Sequence, residues 1–154
     1  MKVLVTGSTG FIGNFVIQEL LKLENNVIAS SRRSKNEVSH AWLKDVDYIQ
    51  ADLKEDRDNW FSFFRQPDLL IHLAWEGLPH YNKLYHLERN LLENYSFLKN
   101  IVENGLGRLT VAGTCMEYGM RTGALNEDME TMPNTPYSLA KDSLRKFLQQ
   151  LQKQ

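Results

Sequence analysis

Three glycines stand three residues apart near the start of the chain, at Gly7, Gly10 and Gly13. A short apolar run, residues 3–5, comes directly before them. After them, apolar residues recur at the spacing of a helix, at Ile12, Val16 and Leu20. This order predicts a buried parallel strand, a tight turn and a helix.

Glycine is needed at each of the three positions for a different physical reason. Gly7 allows the sharp turn, Gly10 allows a diphosphate to approach the backbone, and Gly13 allows the helix to pack closely on the strand. The amides at the start of the helix then face the phosphates, favoured by the positive end of the helix dipole. The spacing is G-x-x-G-x-x-G rather than G-x-G-x-x-G. The strand before it and the helix after it favour a dinucleotide site over a plain strand–helix turn.

The length and composition are those of one globular domain, which we assign as a dinucleotide-binding domain over residues 1–154. The net charge of −1 gives no reason to expect nucleic acid or a membrane as partner. Cys115 is the only cysteine, which favours a reducing compartment. The first apolar stretch is too short for a signal peptide, and no apolar run approaches ~18 residues. We therefore expect a cytoplasmic protein.

Further apolar runs alternate with helical patterns along the chain. Strands are predicted at 3–5, 27–31, 46–51, 69–74 and 109–112, and helices at 11–23, 58–65, 83–104 and 138–151. This alternation predicts an α/β fold with a doubly wound parallel sheet, a Rossmann fold of about five strands in the order 3-2-1-4-5.

The same patterns predict which side chains are buried. His72 lies in mid-strand and is expected to be a satisfied core histidine. The aromatic residues of 58–65 are expected to be core: Trp60, Phe61 and Phe64. The first helix should turn to the sheet Phe15, Val16, Leu20 and Leu23. The long helix carries an apolar stripe that must be buried: Leu84, Leu87, Leu91, Tyr95, Leu98 and Val102.

The end of the second strand bears on the choice of dinucleotide. An NAD-binding unit usually has an acidic residue there, about twenty residues after the glycines. In this chain the place is taken by Ser31, followed by Arg32 and Arg33. A carboxylate would repel a 2′-phosphate, whereas an arginine binds it by donating two hydrogen bonds to its oxygens. We therefore predict NADP in preference to NAD; the alternative is two solvated arginines at a strand end.

Several stretches together resemble the extended short-chain dehydrogenase/reductase family of nucleotide-sugar epimerases, dehydratases and ketoreductases. They occur in family order along nearly the whole chain: residues 6–13, Ala51-Asp52-Leu53, His72-Leu73-Ala74, Asn90, Gly113-Thr114, Tyr118-Gly119 and Tyr137-Ser138-Leu139-Ala140-Lys141. The Y-x-x-x-K pattern alone would be a weak signal, and the set is a strong one.

The chemistry of the last stretch can be argued from its residues. Tyr137 and Lys141 are four residues apart and share one side of a helix. A neighbouring ammonium lowers the pKa of a phenol, which lets Tyr137 move a proton near neutral pH. The resemblance implies that Lys141 also holds the nicotinamide ribose and that Thr114 hydrogen-bonds the reacting carbonyl or alcohol. Taken singly, these residues could be an ordinary strand-end hydroxyl and an ordinary helix-start pair.

The resemblance also implies further contacts with the cofactor. Asp52 and Leu53 should lie beside the adenine, Ala74 and Trp75 along the middle of the cofactor, and Asn90 near the nicotinamide. The predicted cofactor set is completed by Gly7, Thr9, Gly10, Phe11, Ile12, Gly13, Ser31, Arg32, Arg33, Leu73 and Lys141. No metal site is predicted. Cys115 is expected to be a small buried residue, because nothing beside it suggests a nucleophile.

The reaction class follows from the residues after Thr114. Sugar-nucleotide 4,6-dehydratases of the family have an acidic pair there, whereas this chain has Cys115 and Met116. Glu117 is expected to point away from Met116. A predicted NADP site suits a net reduction, and the stretches 75–79 and 113–119 resemble a ketoreductase-like branch. We therefore expect reduction of a 4-keto-6-deoxyhexose sugar nucleotide. The alternatives are a nucleotide-sugar epimerase and a dinucleotide-binding module without turnover.

Family members continue well past the Y-x-x-x-K helix, whereas this sequence ends at Gln154. It therefore resembles the N-terminal half of such an enzyme, without the C-terminal substrate domain. The predicted fifth strand would be left at an edge of the sheet. The last helix carries apolar residues that invite self-association: Leu144, Phe147, Leu148 and Leu151. Since the family dimerises through the corresponding helices, a homodimer through 83–104 and 138–151 is expected.

Overall fold

The computed structural model describes residues 1–153. Five parallel strands form one sheet in the order β3-β2-β1-β4-β5, which confirms the predicted fold class and strand order. The strands are β1 (Lys2–Thr6), β2 (Asn26–Ser31), β3 (Asp47–Gln50), β4 (Leu69–His72) and β5 (Leu109–Val111). The helices are α1 (Phe11–Lys22), α2 (Trp60–Phe63), α3 (Leu91–Glu103) and α4 (Pro136–Leu151).

The chain divides into two compact units. The first consists of Met1–Ala74 and Asn100–Ala112 and contains the whole sheet. The second consists of Trp75–Lys99 and the residues from Gly113 onward, and contains α4. None of the helices among the described residues is long and apolar enough to cross a membrane.

The core of the first unit is built on the two central strands. Its fully or nearly buried members are Val3, Val5, Ile17, Val27, Ala29, Val38 and Trp42. Unbroken apolar runs of this kind are expected in parallel strands that are covered on both faces. Of the aromatic residues expected in the core, Trp60 and Phe64 are buried, whereas Phe61 is only half-buried. His72 is buried too and shares a 2.8 Å hydrogen bond between its Nδ1 and the Thr6 hydroxyl.

The predicted buried side of α1 is confirmed in part, since Val16 and Leu20 pack against the core. Gly13 and Ile17 are the buried residues of α1, whereas Phe15 is 54% exposed and Leu23 is 72% exposed. Gly13 must face the preceding turn, and a residue two positions later lies about 200° round the helix, so Phe15 points away. Leu23 is the C-cap residue, beyond the last full turn.

The predicted helix 83–104 begins later than expected. Residues His86–Asn90 form a π-helical turn, and α3 follows it. A π-helical turn holds one more residue than an α-helical turn, so it shifts the phase of the residues on either side. Leu84 is consequently 59% exposed. The buried apolar residues of α3 are Leu91, Phe97, Leu98 and Ile101.

Two predicted helices have different ends in the structure because of their capping residues. The predicted helix 58–65 is reduced to α2, because Asn59 caps it by accepting a 2.7 Å hydrogen bond from the Ser62 amide. The predicted helix 138–151 begins two residues earlier, because Thr135 is the cap and Pro136 occupies its first turn.

Candidate dinucleotide and catalytic sites

The glycine turn of the first unit is packed too tightly for any other residue. Gly7 has φ +72°, and a Cβ there would lie 2.7 Å from the amide nitrogen of Ala74. A Cβ on Gly13 would overlap the carbonyl oxygen of Gly7 and lie 2.8 Å from that of Ser8. The first contact explains the turn, and the second explains why α1 can start so close to β1.

The start of α1 fits a bound anion. Gly10 is the N-cap and provides no side-chain hydrogen bond, and the first turn contains no acidic residue. The Ser8 hydroxyl is buried and has no hydrogen-bond partner among the described residues. Open amides at a helix N-terminus beside an unpaired buried hydroxyl are suited to a diphosphate.

The side chains of Phe11 and Ile12 do not share this environment. Phe11 is 82% exposed and Ile12 is 58% exposed. Their predicted part in holding a cofactor would therefore be played by their backbone amides. Thr9 is half-buried within the turn.

The residues after β2 form an ordered turn. The Tyr48 phenol donates a 2.7 Å hydrogen bond to the carbonyl of Arg33 and shares another of 2.7 Å with the Ser31 hydroxyl. The Gln50 amide donates to the carbonyl of Arg32 at 3.0 Å. Side chains of β3 thus hold the backbone of the two arginines, whose own side chains are exposed.

The remaining predicted cofactor residues of this unit follow the carboxyl ends of neighbouring strands. Asp52 and Leu53 come just after β3, and Leu73 and Ala74 come just after β4; all four are half-buried. In a parallel sheet these ends lie along one edge, beside the glycine turn that follows β1. The structure therefore brings this part of the predicted set together.

The predicted catalytic residues lie in the second unit. Tyr137 is buried in the first turn of α4, where its phenol is close enough to the Thr114 side chain for hydrogen bonding between them to lower the phenol pKa. Thr114 caps a 3-10 turn, Cys115–Tyr118, and its hydroxyl accepts a hydrogen bond from the Met116 amide. Lys141 is 5% exposed, four residues after Tyr137 on the same helix.

Burial controls the protonation of both α4 residues. It raises the pKa of Tyr137, an effect that the hydrogen bond with Thr114 opposes only in part. It lowers the pKa of Lys141 to about 8, against the opposing effect of the Glu117 carboxylate. The predicted lowering of the tyrosine pKa by its lysine neighbour was therefore wrong for this structure, because the cost of burying a charged phenolate is the larger effect.

An aromatic cluster surrounds these residues. The Trp75 indole donates a 3.1 Å hydrogen bond to Nδ1 of His86, and Nε2 of His86 lies 3.1 Å from the carbonyl of His80. These partners assign His86 as neutral with its proton on Nε2. Burial accordingly lowers the pKa of His86. The ammonium of Lys141 lies 4.5 Å from the centre of the Trp75 ring, within the range of a cation–π contact.

Asn90, predicted to lie near a nicotinamide, is buried in the π-helical turn. Its side-chain amide donates a 2.9 Å hydrogen bond to the carbonyl of Glu76 and approaches Nδ1 of His86 at 3.2 Å. It therefore fixes the backbone next to Trp75. Sequence reasoning missed His86, since a histidine within a helical pattern carries no signal of its own.

Of the residues after Thr114, Cys115 differs from expectation, and Glu117 has partners that were not predicted. Cys115 is exposed, not buried as predicted, because the 3-10 turn directs it outward. Glu117 is 4% exposed, and its carboxylate accepts hydrogen bonds from the Thr114 amide and from Arg145. The Thr-x-x-Glu spacing of a capping box was the signal that could have predicted the first of these bonds. Among the described residues there is no cluster of side chains suited to a metal ion.

The model of the NAD dependent epimerase/dehydratase family matches residues 3–154. The chain belongs to this family. The resemblance drawn from its motifs is thereby confirmed. The curated relatives that match this epimerase/dehydratase chain include sugar-nucleotide dehydrogenases, reductases and epimerases.

Two of these curated relatives, a dehydrogenase and a reductase, catalyse different reactions according to their names. The chain is 30% identical over 149 residues to dTDP-6-deoxy-L-talose 4-dehydrogenase (NAD(+)) of Aggregatibacter actinomycetemcomitans, covering 96% of this chain and 54% of the relative. It is 28% identical over 165 residues to dTDP-4-dehydro-6-deoxyglucose reductase of Escherichia coli, covering 99% of this chain and 51% of the relative. This epimerase/dehydratase chain thus spans about half the length of the curated relatives it matches.

Solved structures agree with this assignment. MoeE5 in complex with UDP-glucuronic acid and NAD superimposes with a TM-score of 0.79 at 26% identity, covering 98% of this chain and 49% of that one. UDP-glucose-4-epimerase from Stenotrophomonas maltophila, with bound NAD, has a TM-score of 0.81 at 23% identity, covering 98% of this chain and 48% of that one. The second likeness supports the fold alone.

Proposed function

We propose that this chain is the nucleotide-binding and catalytic part of an oxidoreductase that reduces a 4-keto-6-deoxyhexose sugar nucleotide with NADPH. The observation that carries the proposal is the buried phenol of Tyr137, whose pKa is influenced by the Thr114 side chain and which precedes Lys141 by four residues on one side of α4. Relatives that act at C4 of a 6-deoxyhexose, in name a 4-dehydrogenase and a 4-dehydro sugar reductase, support the substrate class.

The proposed roles follow from the protonation of the site. Since the pKa of Tyr137 is raised, its phenol keeps its proton at neutral pH and is suited to donate it to the oxygen of a carbonyl. Thr114 would donate a hydrogen bond to the same oxygen and hold it next to the phenol. A nicotinamide dinucleotide, when bound, supplies the hydride. Lys141, with a pKa of about 8, is largely protonated at pH 7 and would stabilise the phenolate left behind.

The residues that would hold the dinucleotide lie in the first unit. The open amides after Gly10 and the unpaired Ser8 hydroxyl suit the diphosphate. Arg32 and Arg33, on a backbone held by Tyr48 and Gln50, suit a 2′-phosphate. We therefore propose NADP as the preferred form, although one relative is named as NAD(+)-dependent.

The cofactor preference can be tested without turnover. We would titrate the chain with NADPH and with NADH, and repeat both titrations with Arg33→Ser and with the exposed control Lys44→Ser. We expect NADPH to bind more tightly, and Arg33→Ser to reduce that difference by about tenfold or more, since a charged hydrogen bond contributes about 1.5–3 kcal/mol. Equal or tighter binding of NADH by the unchanged chain would refute the preference.

The reaction is tested with NADPH and a 4-keto-6-deoxyhexose nucleotide. Loss of the absorbance of the reduced nicotinamide is expected, and Tyr137→Phe should slow it by about 100-fold or more. Interconversion of a UDP-sugar without net consumption of dinucleotide would favour the alternative, a nucleotide-sugar epimerase, which several relatives support by name. Dinucleotide binding with neither activity would favour a binding module, an alternative motivated by the half-length match.

We also propose a homodimer formed by α4 and the segment 83–104. Phe147 is 41% exposed on α4, and its ring packs against that of Tyr95 at 5.2 Å. Leu139 on the same helix is 42% exposed. A monomeric mass in solution at micromolar concentration would rule the dimer out.

A further inference from the structure

The carboxylate of Glu117 is buried beside the proposed proton-transfer residues, and the proposed reaction gives it no part. Glu117 is only 4% exposed. Burying a carboxylate is unfavourable unless hydrogen bonds and an opposite charge compensate for the lost water. The partners of its two oxygens therefore indicate why this residue is there.

One oxygen holds the backbone of Thr114. Glu117 Oε1 accepts a 2.9 Å hydrogen bond from the Thr114 amide and lies against Gly113, where a Cβ would come within 3.2 Å of it. A capping box accounts for this bond, but a cap on a surface turn needs no burial. The bond has a consequence for the side chain of the same residue, because it fixes the backbone from which the Thr114 hydroxyl reaches Tyr137.

The other oxygen binds α4. Glu117 Oε2 accepts a 3.3 Å hydrogen bond from Nε of Arg145, whose Nη2 contacts the buried Asp142 at 2.5 Å. Arg145 is therefore itself held from two sides. Tyr137, Lys141 and Arg145 follow one another at intervals of four, so they lie along one side of the helix. The ion pair joins the Thr114 turn to the side of α4 that carries Tyr137.

We propose that Glu117 and Arg145 are a positioning pair, which keeps the Thr114 hydroxyl against the Tyr137 phenol. The inference rests on the proposed function, because only there do Thr114 and Tyr137 touch a substrate. Neither member of the pair needs to touch the substrate itself. The geometry is set by hydrogen bonds from both sides of one carboxylate.

The charge of Glu117 has a second, separable effect. It raises the pKa of Tyr137, in addition to the larger effect of burial. The other titratable groups around the phenol, among the described residues, are Tyr81, His86, Cys115 and Lys141. Loss of the charge should therefore lower the pKa of the phenol, whereas loss of the ion-pair geometry with both charges kept should leave it unchanged.

Two variants separate these effects. Glu117→Gln removes the charge and keeps an oxygen for the Thr114 amide. Arg145→Lys keeps the positive charge but loses the planar guanidinium that contacts Glu117 and Asp142 together. Glu127→Gln, an exposed change of the same type, is the control. Three quantities would be measured: hydrogen exchange of the Thr114 amide by NMR, the pKa of Tyr137 from the difference spectrum against the matching Tyr137→Phe protein, and kcat and KM.

We expect both variants to accelerate exchange of the Thr114 amide by about tenfold, because each loses the charged contact between positions 117 and 145 that holds the acceptor oxygen against that amide. Glu117→Gln should lower the pKa of Tyr137, and Arg145→Lys should not change it. Both should lower kcat by about tenfold with KM changed less than about twofold, because the pair acts on the chemical step. The control should change none of these.

Unchanged exchange of the Thr114 amide in the variants, compared with Glu127→Gln, would overturn the inference. Faster exchange of the Thr114 amide in a variant whose kcat equals that of the unsubstituted chain would also overturn it. If one of the two variants does not fold, exchange of the Thr114 amide in the other is sufficient to test the inference. A chain without turnover would refute only the proposed function, since the amide exchange and the phenol titration need no substrate and still test the pair.

Discussion

The close contact at Gly13 allows a quantitative prediction for Gly13→Ala. A Cβ at this position would meet only backbone atoms: the Gly7 carbonyl oxygen, and the Ser8 carbonyl oxygen and carbon at 2.8 and 2.9 Å. Backbone atoms cannot rotate away, so the start of α1 would have to move outward by several tenths of an ångström or more. Overpacking of this kind costs about 1–3 kcal/mol.

A helix-propensity gain opposes this cost. Alanine is better than glycine inside a helix by about 1 kcal/mol. The net loss of unfolding free energy is then up to about 2 kcal/mol, or a fall in Tm of up to about 6 °C for a chain of this length. The outward shift also moves the open amides of α1, and the loss of one charged hydrogen bond to a diphosphate would weaken dinucleotide binding about tenfold or more.

Gly107→Ala is the matched control. Gly107 lies in the same unit and is exposed, and a Cβ there would meet no atom within 4 Å. Thermal unfolding followed by circular dichroism would give the stability, and NADPH titration well below both transitions would give the affinity. If Gly13→Ala unfolds at the temperature of Gly107→Ala and binds NADPH equally well, then close packing at Gly13 is not what allows α1 to start where it does.

Three further predictions concern the second unit. Tyr137→Phe should keep dinucleotide affinity and lower kcat by about 100-fold or more, the size expected when a general acid is lost, as measured by titration and steady-state kinetics. Because the pKa of Lys141 is lowered to about 8, the unfolded chain binds more protons between pH 8 and ~10.4, so unfolding free energy should rise with pH there. By pH ~9.5 the rise relative to Lys141→Met should reach roughly 2 kcal/mol in denaturant titrations, and equal pH dependence of the two proteins would contradict it. Because burial lowers the pKa of His86, the unfolded chain binds more protons just below the usual histidine value, and stability should be lost as pH falls through that window; His86→Gln should lose less.

The local features of the fold could be predicted from the sequence. The glycine turn depends on residues close together in the chain, and the strand order follows from the regular alternation of strands and helices; both agree with the structure, whereas the predicted start of α4 was two residues late. The burial of α1 and α3 was predicted less well. In α1 the contact at Gly13 sets the orientation of the helix, and before α3 the π-helical turn shifts the phase. The apolar periodicity of the sequence contains no sign of either feature, so the buried sides of these two helices could not be predicted fully from it.

In the candidate site, too, residues within short motifs could be predicted, whereas contacts between distant residues could not. Thr114, Tyr137 and Lys141 were predicted from short motifs, and the structure places Thr114 in contact with Tyr137 across 23 positions of sequence. The ion pair of Glu117 with Arg145 joins residues 28 positions apart. No short motif contains both, and the capping-box spacing indicates only the nearer bond of Glu117. Burial of Cys115 was predicted because nothing beside it suggests a nucleophile, and this prediction was wrong, since Cys115 is exposed in the 3-10 turn.

The raised pKa of Tyr137 and the lowered pKa of Lys141 have one cause, because burial disfavours the charged form of each. In the proposed reduction this is an advantage. The phenol begins protonated, and its charge appears only when its proton passes to the substrate oxygen. At that moment a phenolate forms near the ammonium of Lys141, in surroundings where opposite charges attract more strongly than in water. The attraction expected from the Y-x-x-x-K spacing is then greatest during proton transfer, and it need not lower the pKa of Tyr137 beforehand.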